Sequence, residues 1–286
     1  NAPKNYMSVV ATHGATAFFS FGSVWLITRH LGSESYGAVV AVVAASQLIQ
    51  IFVNWSSTAL IRFGIEEFVE TGCIAKTFWS RTTIFIPNLM IALFLSYWWI
   101  GPVSHWFKLQ PDILWLVVVH IAITSLWLHI QGGLQSIKML RLQGFLLVIE
   151  RCLTFASLLL LVYFRQLSTS MALWCYILPA VLLTCVGIFY LRGVIEFRGA
   201  FTFEHFRRIW IFSLPLIPYA IVSYLSTSQL DALFITNYLS IKDLGVYAVA
   251  GQINGLLLQL PILANTMILS LFVSLRSDGD ATAVRR

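Results

Sequence analysis

Long stretches without Asp, Glu, Lys or Arg dominate this chain. Seven of them have 22 residues or more: 5–28, 35–61, 82–107, 113–137, 166–191, 209–230 and 244–275. Each is long enough to cross a hydrocarbon core as a helix, for which about 20 mostly apolar residues suffice. An eighth run, 152–164, has 13 residues. At 1.5 Å per residue that is about 20 Å of helix, short of a core about 30 Å thick. Its crossing must therefore extend back through residues 142–149 and carry Glu150 and Arg151 into the membrane. The pattern predicts an all-α polytopic membrane protein of about eight transmembrane helices, the fifth holding a buried charge pair.

Composition agrees with the pattern. Of 286 residues 58% are hydrophobic and 10% charged, whereas a soluble domain carries about 25% charged residues and needs them to cover its surface. A soluble globular protein is excluded. The net charge of +6 does not indicate nucleic acid, because the basic residues sit in short clusters between apolar runs, as in a membrane protein. Thirteen of the eighteen Lys and Arg fall on one side of the spans, among them Arg62, Lys76, Arg81, Arg192, Arg207 and Arg208. Only Arg29, Lys108, Arg165 and Lys242 fall on the other, and Arg151 lies between. The positive-inside rule then places both termini in the cytoplasm. The first apolar run is too long for a secretory signal and is followed by no small-residue cleavage site, so it reads as a retained helix.

Two hairpins resemble each other. Residues 29–39, RHLGSESYGAV, join the first and second runs, and residues 237–247, NYLSIKDLGVY, join the seventh and eighth. Leu31 and Leu239 match, as do Gly37 and Gly245, at a common offset of 208. A parallel duplication with six spans per copy explains the match. So does the general use of Gly and polar residues in short helical hairpins. On the first explanation, residues 1–208 form a complete six-helix lobe and 209–275 hold the first two helices of a second, apparently truncated. Residues 276–286 then form a polar tail.

Several segments together resemble a known family. They are HLGSESYG at 30–37, ALIRFG at 59–64, FSLPLIP at 212–218 leading to Asp231, and LGVY at 244–247. In these segments the chain resembles the polysaccharide-transporter (O-antigen or lipid-linked oligosaccharide) flippases of the multidrug/oligosaccharidyl-lipid/polysaccharide exporter superfamily. The resemblance runs from about Tyr6 to Ser274. It implies two six-helix lobes around a central cavity in the bacterial cytoplasmic (inner) membrane, working by alternating access. The cargo it implies is an undecaprenyl-diphosphate-linked oligosaccharide, with membrane lipids and polysaccharide polymerase or assembly proteins as further partners. Departures from the family pattern are Ser240 in place of Gly, Asp231-Ala232 in place of Asp-Arg, and Val273 in place of Pro.

A flippase breaks no covalent bond, so the chemistry to look for is a polar path for diphosphate and sugars. Glu150 and Arg151 are costly at membrane depth and should face a cavity or partner, with Arg151 attracting diphosphate. The competing reading is that Arg151 snorkels to the head groups. Arg29 and Arg62, at opposite ends of the first helical pair, suit capture and release of an anionic head group, and suit interfacial anchoring as well. Asp231 follows Pro215 and Pro218; it is a candidate for ion or proton coupling, or a helix cap. Gln47, Gln50 and Asn54, at spacings of three and four, form one helical face that could bind sugar hydroxyls or glue helices together. Gln252, Asn254, Gln259 and Asn265 are the amides of the eighth run, and Gly251, Gly255 and Pro261 make it a bending element.

No metal site is indicated: His120 and His129 are nine residues apart and face opposite sides of a helix. The chain has no phosphate-binding loop and no hydrolase motif, and calls for no cofactor and no enzymatic reaction. A cation-coupled drug or metabolite exporter of the same architecture is the nearest rival, against which the basic Arg29, Arg62 and Arg151 weigh. A non-transporting scaffold of a polysaccharide assembly complex is another.

Overall fold

The computed structural model describes residues 2–98, 111–196, 201–225 and 227–254, all in helices and their connections, with no strand among them. In chain order these are α1 (Ala2–Asn54), α2 (Ser57–Thr71), α3 (Ala75–Trp98), α4 (Pro111–Ser136), α5 (Leu140–Tyr163) and α6 (Thr169–Leu191). There follow α7 (Phe203–Ser213), a 3-10 turn at Leu214–Leu216, α8 (Ile217–Leu225), α9 (Ser228–Tyr238) and α10, described over residues 241–254. Most of the eighth apolar run, with Gly255, Gln259, Pro261 and Asn265, and the polar tail lie outside the described residues.

Six described segments are long and apolar enough to cross a membrane: Ala11–Asn54, Ala75–Trp98, Ile113–Ser136, Arg141–Tyr163, Thr169–Leu191 and Phe203–Leu225. The first has 44 residues, about 66 Å of helix and twice the depth of the core. It is interrupted at Gly32, whose φ of 83° and ψ of 172° no helix contains. Those angles are open essentially only to glycine, so the first two runs turn into each other there without a loop. With that segment counted as two across Gly32, the described crossings number seven; α10 begins where the eighth is expected, and the remainder of that run lies outside the described residues.

Charge-free runs and real helices differ at several ends. The second run reaches Ile61, but its helix breaks at Trp55 and Ser56 and restarts as α2, so Arg62 belongs to a separate helix. The third crossing starts at Ala75, ahead of Arg81, because the Glu67 carboxylate receives the N–H groups of Lys76 (3.0 Å) and Thr77 (2.8 Å) and satisfies the open N-terminus of α3. Arg81 is therefore drawn from the charged flank into the bundle, where its exposure is 0%. The seventh crossing runs from Phe203 to Leu225 rather than 209–230. Thr202 caps its start through the His205 N–H, and Pro215 and Pro218 narrow it to a 3-10 turn because neither ring nitrogen can donate.

The main core gathers α1, α3, α4, α5, α6, α9 and α10, and a second cluster joins α2 and α3 to α4, α5 and α6. Helices α4 and α6 meet at two glycines: an added Cβ would lie 2.8 Å from a Leu191 methyl at Gly133 and 2.3 Å from an Ile130 methyl at Gly187. Small residues at helix contacts are how bundles in lipid approach closely without a hydrophobic driving force between helices. Outside the bundle, Phe18, Met90, Phe94, Leu160 and Phe189 stand exposed, as suits a surface solvated by acyl chains.

Candidate functional site

A cavity of about 570 Å³ opens inside the bundle. One wall is a stripe of α1, Tyr36, Val39 or its neighbour Val40, Val43, Gln47 and Gln50, recurring every three or four residues along one helical face. Opposite stand Leu244, Tyr247, Ala248, Gly251 and Gln252 of α10. His120, Thr124, Trp127, Leu128 and Gln131 of α4 close one flank, and α5 adds Leu147, Glu150 and Arg151. Tyr176 of α6 and Gln229 and Ala232 of α9 complete it.

Glu150 and Arg151 both reach the cavity, as expected for charges carried into the membrane. The Glu150 carboxylate accepts the indole N–H of Trp127 at 2.8 Å, which ties α5 to α4 across a 3% exposed ring. Glu150 and Arg151 do not pair with each other; the ion pairs found among the described residues are both to Glu66. Arg151 thus presents a half-buried guanidinium to the cavity beside Tyr176. Gln50, a lining residue, donates its amide to the Thr124 hydroxyl.

Asn54 continues the same stripe one turn further but falls beyond the cavity lining. It accepts from Arg81 Nη2 at 3.2 Å and donates to Ser125 Oγ at 3.5 Å. Arg81 also bonds to His129 Nδ1 and stacks over Phe85 at 5.3 Å, and His129 Nε2 meets Thr82 Oγ1 at 3.0 Å. A fully buried guanidinium with no carboxylate within bonding distance among the described residues was counted in the sequence as a flank charge. Its burial depends on where α3 begins.

The other candidates lie apart from the cavity. Exposed Arg29 packs its guanidinium on Trp25 at 5.3 Å. Arg62 lies over Phe212 at 4.6 Å and pairs with Glu66 at 3.8 Å, and Arg208 joins the same carboxylate at 2.7 Å. Asn254 is exposed and off the lining, where Gln252 stands instead. Asp231 lies in the first turn of α9 and accepts the hydroxyl of cavity-lining Tyr247 at 2.5 Å. As the nine-residue spacing requires, His120 faces the cavity while His129 packs away from it against Phe85. No trio of His, Cys, Asp or Glu converges as metal ligands among the described residues.

Sequence reasoning passed over the aromatic lining: Tyr36, Trp127, Tyr176 and Tyr247. A signal for part of it was present. The α10 lining positions 244, 247, 248 and 251 are those of α1, 36, 39, 40 and 43, shifted by the offset of 208 that relates the two hairpins.

The sequence matches the polysaccharide biosynthesis protein family over residues 3–272. No curated protein matches it. Among solved structures, a chain described as protein A superposes with a TM-score of 0.67 at 12% identity, over 87% of this chain and 59% of its own length. The MATE multidrug transporter DinF-BH, solved as a complex, superposes with a TM-score of 0.63 at 11% identity, over the same shares. At such identities the likeness is one of fold, and this chain spans 59% of the length of either solved chain.

Proposed function

Since the chain belongs to the polysaccharide biosynthesis protein family, we propose that it serves to flip a lipid-linked oligosaccharide, carried on undecaprenyl diphosphate, across the bacterial cytoplasmic membrane. In this reading residues 1–208 are one lobe, 209–275 begin the other, and the space between them is the path of the head group. One observation supports it above the rest: the cavity combines a guanidinium, Arg151, that makes no ion pair among the described residues with amides and aromatic rings. A diphosphate needs a charge-assisted donor that is not already neutralised. Sugar hydroxyls suit the amides Gln47, Gln50, Gln229 and Gln252, and the apolar faces of sugar rings suit Tyr36, Tyr176 and Tyr247. No covalent step is involved. Arg29 and Arg62 then act as anchors at the two membrane faces, and Asn54 and Asn254 stand outside the binding surface.

The fold is shared with a multidrug transporter, and the Tyr247–Asp231 hydrogen bond beside the cavity is the one feature that favours cation-coupled export as a second reading. The test is restoration of surface polysaccharide in a flippase-deficient strain, by this chain and by a version extended to the next in-frame stop. Rescue, at least tenfold weaker for Arg151→Ala, is the expected result. Undiminished rescue by Arg151→Ala removes the diphosphate role. Efflux of a cationic fluorescent dye without polysaccharide rescue, lost in Asp231→Asn, transfers the reading to a cation-coupled exporter.

A further inference from the structure

The charges around the cavity are few and of both signs. Among the described residues its lining holds one guanidinium, Arg151, and one carboxylate, Glu150; the rest are hydroxyls, amides, the His120 imidazole and apolar groups. Arg81 adds nothing to the lining, since it is fully buried beyond it against Asn54 and His129. A second carboxylate, Asp231, stands behind the wall, where it accepts the hydroxyl of the lining residue Tyr247 at 2.5 Å. The cavity is therefore no general trap for anions. It offers one cationic group, with a carboxylate beside it and another behind its wall.

Glu150 and Arg151 are consecutive on α5, with Cα atoms about 3.8 Å apart and side chains turned about 100° from each other. Both are half-buried, both line the cavity, and they form no ion pair with each other. Glu150 is fixed in place, because its Oε2 accepts the Trp127 indole N–H at 2.8 Å. Where Arg151 holds a diphosphate, the sugar bonded directly to that diphosphate comes within reach of Glu150. A carboxylate accepts hydrogen bonds from sugar hydroxyls and attracts an ammonium group. It repels a sugar carboxylate, and the repulsion is strong in a site with little water. The guanidinium is by then engaged with the diphosphate, so a further anionic group would have no cation left to compensate it.

We propose that Glu150 sets the charge class of the cargo: the sugar bonded to the diphosphate is neutral or carries an amino group, and uronic acids are excluded. The proposal rests on the lipid-linked oligosaccharide reading and adds a repulsive element to the attractive ones. Discrimination between ligands of similar shape commonly needs both. Glu150→Gln is the informative change, because the new amide oxygen can still accept the Trp127 N–H, so the tie between α4 and α5 survives and the charge alone is lost. Gln47→Lys is the independent one, since it adds a cation to the same lining and leaves Glu150 in place.

The test measures binding to the whole purified chain in detergent with two probes, glucosyl and glucuronosyl esters of farnesyl diphosphate. They differ only in the group at sugar carbon 6, a hydroxymethyl in one and a carboxylate in the other. The glucosyl probe should bind about tenfold more tightly than the glucuronosyl probe, and Glu150→Gln should narrow the gap to about threefold or less. Equal or tighter binding of the glucuronosyl probe by the unaltered chain overturns the proposal and leaves the flippase reading standing, since both probes then bind. A gap that Glu150→Gln leaves undiminished also overturns it; where that variant does not accumulate, the same outcome is read from Gln47→Lys. Binding of neither probe removes the flippase reading, and the proposal with it.

Discussion

Glu150 and Arg151 are neighbours in sequence with different tasks in the structure. One step along a helix turns a side chain by about 100°, and here that step separates a carboxylate held by Trp127 from a guanidinium left to the cavity. Trp127→Phe keeps the ring and removes the N–H, so the carboxylate loses its donor in a low-dielectric setting. The expected cost is about 1–3 kcal/mol, read as a lower thermal midpoint of the detergent-solubilised protein; an unchanged midpoint would mean that the bond adds nothing. Glu67 offers a parallel case. It caps α3 through two backbone N–H groups, and Glu67→Ala should destabilise the fold by about 1.5–3 kcal/mol, as expected for hydrogen bonds to a charged group. By contrast, Arg208 pairs with Glu66 while 52% exposed, and its loss should shift the midpoint by less than about 1 kcal/mol.

At the scale of elements, breaks matter more than helices. Helical propensity and apolar length make α1, α4 and α6 inevitable in lipid, where every backbone group must bond internally. Their interruptions decide what the chain can build. Gly32 turns the first run into the second with angles that only glycine adopts readily. Gly32→Ala should therefore cost about 1–3 kcal/mol through backbone strain alone, although no atom lies within 4 Å of its added Cβ. Gly193→Ala, equally uncrowded and without a positive φ, should be neutral, and comparing the two midpoints separates strain from packing. In the other hairpin the counterpart of Gly32 is Ser240, which works differently. Its hydroxyl accepts the Asp243 N–H at 3.1 Å while Asp243 receives the Ser240 N–H at 3.1 Å, a reciprocal cap that starts α10.

For the whole molecule, the asymmetry of basic residues makes a prediction about sidedness. With Arg81 withdrawn into the bundle, the remaining flank cations still outnumber those on the opposite side, so the orientation inferred from the positive-inside rule is unchanged. Single cysteines at Ser240 and Gly193 should label with an impermeant reagent from opposite faces of the membrane, Ser240 from outside the cell. Labelling of both from one face would contradict the span order. The spans, their approximate limits and the stripe of Gln47 and Gln50 were legible in the sequence, because lipid imposes length and polarity rules on every crossing. The aromatic lining was not, since Tyr and Trp are as common at interfaces as in cavities. Arg81 was not legible either: its place next to α3's capped start depended on a carboxylate nine residues before Lys76 in a separate helix.

The amino-acid sequence by itself determined that this chain lives in a membrane as a bundle of about eight helices, and that two adjacent charges, Glu150 and Arg151, fall within one of its spans. Those conclusions follow from local quantities: run length, rise per residue and the cost of a charge in lipid. Tertiary structure alone decided which polar residues share a cavity. Arg62 and Arg151 look alike as basic residues beside apolar runs, yet one shares the exposed Glu66 carboxylate with Arg208 and the other faces the interior. Tertiary structure also made neighbours of Gly37 and Gly245. A repeated hairpin can be recognised from its residues, but only packing brings its two copies together, because contact between positions 208 apart is fixed by how the helices between them fold back.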